Sequence, residues 1–129
     1  MNRPIWVDRS AVLQLHAESL VLHGGAVGIR DIGLLESALA RPQNLHAYNP
    51  DADAAALAAA YAFGIIRNHP FVDGNKRTGF LAAAMFVEAN GLRFVASEAE
   101  VITRTLALAS SEIDEAEFAT WLRGNVGLL

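Results

Sequence analysis

Eleven consecutive residues, HPFVDGNKRTG from His69 to Gly79, place an imidazole, a carboxylate, a carboxamide, two cations and two glycines between two stretches that are almost wholly apolar. Histidine exchanges a proton near neutral pH, which makes His69 a candidate general base. Asp73 is a hard oxygen ligand suited to Mg²⁺ held jointly with nucleotide phosphates. Asn75, Lys76 and Arg77 begin what reads as a helix, whose first backbone N–H groups have no intrahelical partner and form a cup for an anion. Gly74, without a side chain, lets a phosphate approach that backbone. Arg77 can grip phosphate oxygens as a bidentate fork. Two cations at the positive end of a helix cost about 0.3 to 1 kcal/mol each unless an anion compensates them, so their placement favours a bound phosphate. Arg67 falls close to this pair in sequence and adds to the local positive charge. The plainer reading is a turn: Asp73-Gly74-Asn75 is also an ordinary turn and cap sequence, with Phe71 and Val72 pinning it to the core.

The elements around this stretch determine whether it can be a site. Asp51 and Asp53 open AAALAAAYAFGIIRN as first-turn carboxylates that match the positive end of a helix dipole, and FLAAAMFV runs from Phe80 to Val87. Both segments are apolar all round, and helices without a polar face are surrounded by other helices. The loop between them is therefore anchored at both ends by central helices, with His69 ending one and Asn75 or Lys76 starting the next. Gly64 and Gly79 read as points where these two helices approach closely.

Upstream, a first helix is expected from Asp8 to Leu22, with Val12, Leu13, Leu20 and Val21 as its apolar residues and His23-Gly24-Gly25 as its stop. Asp31 caps a short helix carrying Leu34, Leu35, Ala38 and Leu39, which ends at Arg41-Pro42 because proline disfavours a helical residue before it; a polar loop then runs to Pro50. Downstream, Asn90-Gly91 closes the second central helix and LRFV reads as a short extended piece. Ser97 to Glu100 and Asp114 to Glu117 are two capping boxes, each opening a helix. The expected fold is all-α, a single domain over residues 1–129 with about six helices. His16, His23 and His46 show no metal-ligand spacing and read as surface or packing residues.

Composition narrows the functional classes. The 129 residues are 53% hydrophobic and 19% charged, with no cysteine, so neither a disulfide framework nor a thiolate zinc site is available. The opening MNRPIWVDRS lacks the basic start and apolar run of a signal peptide, and the longest apolar run, Ala54 to Ile66, is thirteen residues, short of a bilayer span. A cytoplasmic protein without membrane association is the expectation. The formal net charge of −4 argues against direct nucleic-acid binding and leaves a phosphate-sized target as the use for a local basic patch.

As a whole, HPFVDGNKRT resembles the signature of the Fic/Doc superfamily, and its lysine form, H-x-F-x-D-[AG]-N-K-R, is that of Doc (death-on-curing) toxins. HGGAVGIRDIGLLESALARPQ, residues 23 to 43, is similar to a block found upstream in Doc-like proteins. The resemblance implies a compact helical fold and transfer of part of ATP to a protein hydroxyl. It makes His69 the base, Asp73 the Mg²⁺ ligand, Gly74 and Asn75 the lining of the cup, and Arg77 the phosphate clamp. Lys76 stands where AMP-transferring Fic enzymes have glycine and matches the lysine of Doc kinases, which move the γ-phosphate onto elongation factor Tu. Phe80 stands where Fic enzymes commonly carry a second arginine, which weakens the AMP-transfer reading, whereas Pro70 and Gly74 look more Fic-like. No Ser/Thr-x-x-x-Glu-Gly/Asn inhibitory helix is present, so the resemblance implies restraint by a separate Phd-like antitoxin. The rival readings are an AMP transferase using the same site and a catalytically silent module that only engages an antitoxin. A ribonuclease toxin is disfavoured by the acidic charge and the single site histidine.

Overall fold

The computed structural model describes residues 3–129. Among these, six helices form in chain order: α1 (Arg9–His23), α2 (Ile32–Tyr48), α3 (Ala54–Asn68), α4 (Asn75–Ala89), α5 (Glu98–Ala109) and α6 (Glu115–Arg123). Between α4 and α5 lies β1 (Leu92–Phe94), and after α6 lies β2 (Val126–Leu128); they pair antiparallel with Leu92 opposite Leu128 and Phe94 opposite Val126. The protein is all-α with this one small ribbon. LRFV is extended as its sequence indicates, but its partner strand is legible only once the end of α4 and the exit of α6 lie side by side.

Five of the six helices start on a side-chain cap. Asp8, Asp31, Asp53, Ser97 and Asp114 accept the N–H groups of Ala11, Leu34, Ala56, Glu100 and Glu117. Each such cap supplies an acceptor for an otherwise orphan donor and stabilises by about 1 kcal/mol. Two expectations need correction. Asp51 lies outside α3, and Asp53 is its N-cap rather than a first-turn residue. The Asp114 capping box is complete, but the Ser97 box is half-made, because the Glu100 carboxylate accepts the Trp121 indole N–H at 3.0 Å instead and so ties α5 to α6.

Helix α2 runs through Pro42 to Tyr48 instead of stopping before it. Proline removes the bond that its N–H would make to the carbonyl four residues back, here Ala38. That carbonyl lies against Gly64 of α3, where an added Cβ would come within 3.1 Å of it, and the Pro42 ring is fully buried. Packing against α3 thus overrides the local preference. Gly64 serves the α2–α3 approach, while Gly79 serves the approach of the two central helices, where an added Cβ would come within 3.1 Å of the Ala62 carbonyl.

Helix α3 is the centre of the core, with Leu57, Ala58, Ala59, Ala62 and Ile65 wholly buried and α2, α4 and α6 packed around it. Its run of alanines keeps these neighbours close. The Tyr61 hydroxyl accepts the Val7 N–H at 2.9 Å, which fastens the chain ahead of α1 to the core, and burial pushes the phenol up to about 12. Helix α1 packs on α4 and buries Val12, His16 and Leu20, one residue per turn, whereas Val21 faces solvent.

Candidate active site

The HPFVDGNKRTG stretch joins the C-terminus of α3 to the N-terminus of α4, so its geometry is set by two helices of the core. Helix α3 ends because His69 takes left-handed backbone, φ 52° and ψ 54°. For a residue with a side chain that conformation costs on the order of 1 kcal/mol and persists only when the surroundings hold it. Arg30 supplies the hold. Its Nε donates to the His69 carbonyl at 2.6 Å and its Nη2 to the Asn68 carbonyl at 2.8 Å, so a cation satisfies two of the last acceptors at the negative end of α3. The Arg30 and Asp31 N–H groups both donate to the Pro70 carbonyl, Val72 N–H donates to Gly28, and Ile29 bridges Phe71. The loop is thereby zipped along the segment that precedes α2.

Within the loop, Asn75 is buried and spends its carboxamide on one residue: Oδ1 accepts the Phe71 N–H and Nδ2 donates to the Phe71 carbonyl, both at 2.9 Å. The sequence reading has Asn75 lining the anion cup. Its side chain instead closes the loop, which leaves its backbone N–H as what it can offer the cup. Phe71 is wholly buried, and Val72 is half-exposed, so Phe71 alone pins the loop.

Asp73 is exposed, and each of its carboxylate oxygens accepts a backbone N–H: Oδ2 from Ala26 at 3.2 Å and Oδ1 from Gly74 at 2.9 Å. These two bonds, Ala26 first, with the nearby charges of Lys76 and Arg77, hold its carboxyl below the usual carboxylate range. An ionised carboxylate has lone pairs to spare after two such bonds, so it can still take a cation. Gly25 makes the arrangement possible, because a Cβ there would lie 2.8 Å from Asp73 Oδ2, and its φ of 124° suits glycine.

Helix α4 is the one helix that starts without a side-chain cap: its N-cap is Gly74, in left-handed backbone at φ 80°. Among the described residues no side chain caps its first-turn N–H groups. Lys76 and Arg77 are exposed there, and among the described residues neither enters an ion pair. His69, Asp73, Gly74, Asn75, Lys76 and Arg77 all line one cavity of about 350 Å³, floored by Ile66 and Ala109. The six residues singled out from sequence thus converge on a single space. An uncapped helix start, two unpaired cations, a carboxylate held ionised and an imidazole suit an anion, a shared divalent cation and a proton acceptor. Among the described residues no group of three or more His, Cys, Asp or Glu side chains could hold a metal ion.

Arg67 is not part of this group. It turns away to donate to Ser111 Oγ at 3.0 Å and lies over Phe63, lining a different cavity with Arg41 and Glu115. Sequence proximity mistook its direction, because residues two apart on a helix point to different sides of it. Two residues were missed. Arg30 sits in the GIRD segment of the upstream block, where nothing local signals its reach to α3. His16 is buried with Nε2 2.8 Å from the Asp73 carbonyl, and its i, i+4 spacing to Val12 and Leu20 was the signal that it faces inward.

Beside the cavity, sharing Lys76 and Arg77 with it, runs an apolar groove of about 470 Å³ between α1 and α5, lined by Leu15, Leu22, Phe80, Leu81, Val101 and Ile102. Phe80 packs edge-on against Phe94, and Ser19 and Thr105, also in the groove's lining, have buried hydroxyls without a hydrogen-bond partner. Among the described residues, no helix is long and apolar enough to cross a membrane.

Residues 6–87, which hold α1 to α3, all but the last two residues of α4 and the stretch from His69 to Gly79, match the family model described as Fic/DOC family. The chain is 36% identical over 115 residues to "Toxin Doc" of Mycolicibacterium smegmatis, covering 84% of this chain and 85% of that protein. It is 32% identical over 117 residues to "Protein kinase doc" of Escherichia phage P1, covering 91% and 92% respectively. With the motif's residues gathered in one cavity and relatives matched along nearly their whole length, the chain belongs to the Fic/DOC family.

Proposed function

We propose that the chain is the toxin of a toxin–antitoxin pair and acts as a protein kinase, moving the γ-phosphate of ATP to a Ser or Thr hydroxyl. The observation that carries this reading is the uncapped start of α4 with Lys76 and Arg77 beside it, all in one cavity with His69 and Asp73. The names of the two relatives, one a toxin and one a protein kinase, support it. Elongation factor Tu is the target that the resemblance to Doc toxins suggests.

In this reading the nucleotide phosphates lie against the first-turn N–H groups of α4, and Arg77 grips their oxygens. Asp73 would hold Mg²⁺, which supplies charge neutralisation between the phosphates when bound. His69 accepts the proton of the target hydroxyl as its oxygen bonds to the γ-phosphorus. The bond from that phosphorus to the bridging oxygen breaks, and ADP leaves. Phosphoryl transfer is chiefly positioning and charge stabilisation, so the phosphate held in line with the hydroxyl is the one that moves. Lys76 fills volume beside the cup with a long cationic chain, and Phe80 is committed to the groove and Phe94, so the second arginine of AMP-transferring enzymes has no counterpart there.

The partner in this reading is a Phd-like antitoxin. A disordered segment that folds on binding into an amphipathic helix suits the apolar groove between α1 and α5, and its edge could cover Lys76 and Arg77.

The deciding experiment incubates the protein with ATP and a bacterial extract and measures the mass added to the modified protein. An added mass of about 80 Da is a phosphate and about 329 Da is AMP, as the groups transferred dictate. The kinase reading expects the smaller adduct. The larger one would establish AMP transfer, and no adduct at all, with growth arrest retained, would leave only a binding module.

A further inference from the structure

We propose that His16 is a positioning residue for this site, acting through the peptide unit between Asp73 and Gly74; the proposal rests on the phosphate-transfer reading of the cavity. His16 lies mid-way along α1 on its buried stripe, and it is 6% exposed. A buried imidazole needs a partner, and here Nε2 lies 2.8 Å from the Asp73 carbonyl oxygen. A carbonyl only accepts, so the geometry assigns a proton to Nε2. The face of the ring is stacked on Phe71, with ring centres 3.8 Å apart and planes 9° from parallel.

The bond matters because of what hangs from that peptide. Gly74 follows at φ 80°, and glycine adopts either sign of φ, so the 73–74 peptide plane would be free to turn if its carbonyl were not held. The N–H on the same plane donates to Asp73 Oδ1 and helps keep the carboxylate in place. The Gly74 carbonyl accepts the Thr78 N–H at 3.0 Å and so begins the first turn of α4. One imidazole N–H on α1 therefore orients both the candidate cation ligand and the start of the anion cup, although His16 lines neither.

A packing role and a donor role for His16 separate with two variants. His16→Phe keeps a ring to stack on Phe71 but has no N–H donor. His16→Gln keeps a donor at similar reach but has no ring. Mg²⁺-ATP affinity by calorimetry, amide hydrogen exchange at Gly74 and Ala26, and thermal melting are measured for both and for the unmodified chain. Loss of a second-layer partner commonly lowers metal affinity 10- to 100-fold, so His16→Phe is expected to weaken Mg²⁺-ATP binding about tenfold or more, with faster exchange at Gly74. His16→Gln should stay near the unmodified protein in both. The reverse order, or equal behaviour of the two variants in either direction, overturns the proposal. Should His16→Phe fail to fold, His16→Met serves as the donor-less variant. If the unmodified chain binds no Mg²⁺-ATP, the phosphate-transfer reading fails by itself, and exchange at Gly74 still decides whether His16 holds the peptide.

Discussion

Arg30 and His69 are joined by a 2.6 Å bond from the Arg30 guanidinium to the His69 carbonyl, so a residue ahead of α2 holds the left-handed backbone at the end of α3. The same guanidinium takes the Asn68 carbonyl at 2.8 Å. Arg30→Ala removes both donors and lets the His69 backbone relax. Small misplacements of a reacting group are costly, so transfer should fall roughly 10- to 100-fold. Arg30→Lys, with one compact donor group, should fall between. Initial rates measured beside melting curves check this, and an unchanged rate for Arg30→Ala would reject the positioning role.

His69→Ala removes the proposed base from an exposed position, so the fold should stay intact. A positioned general base contributes about 10² to 10⁴ in rate, and growth arrest should be lost at matched expression. Arrest that persists would mean that the chemistry lies elsewhere.

Gly25→Ala tests the seat of Asp73. The added methyl would lie 2.8 Å from Asp73 Oδ2 in a backbone conformation that side chains rarely adopt, so either the carboxylate or the 24–28 segment must move. Weaker Mg²⁺-nucleotide binding is expected, with the Ala26 amide losing protection from exchange. Unaltered affinity would show that the rotamer held by Ala26 is not the one that binds.

Asp53 and Arg123 form a two-bond pair at 2.6 and 2.9 Å that links the start of α3 to the end of α6. The Arg123 guanidinium holds the Asp53 carboxyl below the usual carboxylate range. A depressed folded value means that the pair's contribution is present above the unfolded carboxylate value, roughly pH 4, and is lost as pH falls through the lower folded value. Both side chains are about half exposed, so the contribution is small, roughly 1 kcal/mol or less. Arg123→Ala should therefore melt a few degrees lower at neutral pH, and the gap should close below roughly pH 4. A gap that widens in acid would contradict the pairing.

Much of the site is legible because its residues are contiguous. His69, Asp73, Gly74, Lys76 and Arg77 fall within nine positions, between segments whose apolar character announces buried helices, and a short loop on rigid ends leaves its residues few places to go. Helix starts are equally local: Asp8, Asp31, Asp53, Ser97 and Asp114 lie three residues from the N–H groups they accept.

What the sequence could not determine depends on partners far along the chain. Pro42 is a helix stop in isolation, yet α2 continues because burying its ring and packing the helix on α3 outweigh one missing bond. Asn75 looks like a ligand for an anion until Phe71 is folded back onto it, and Arg67 looks like a third cation of the site until Ser111 draws it aside. His16 and Arg30 lie 57 and 39 residues from the carbonyls they hold, so no local pattern could connect them. Helix positions and the motif's chemistry come from interactions within a few residues, which composition and spacing record. The direction of each side chain, and which atoms hold the loop, come from long-range packing, where the alternative to a bond is a buried polar group without a partner.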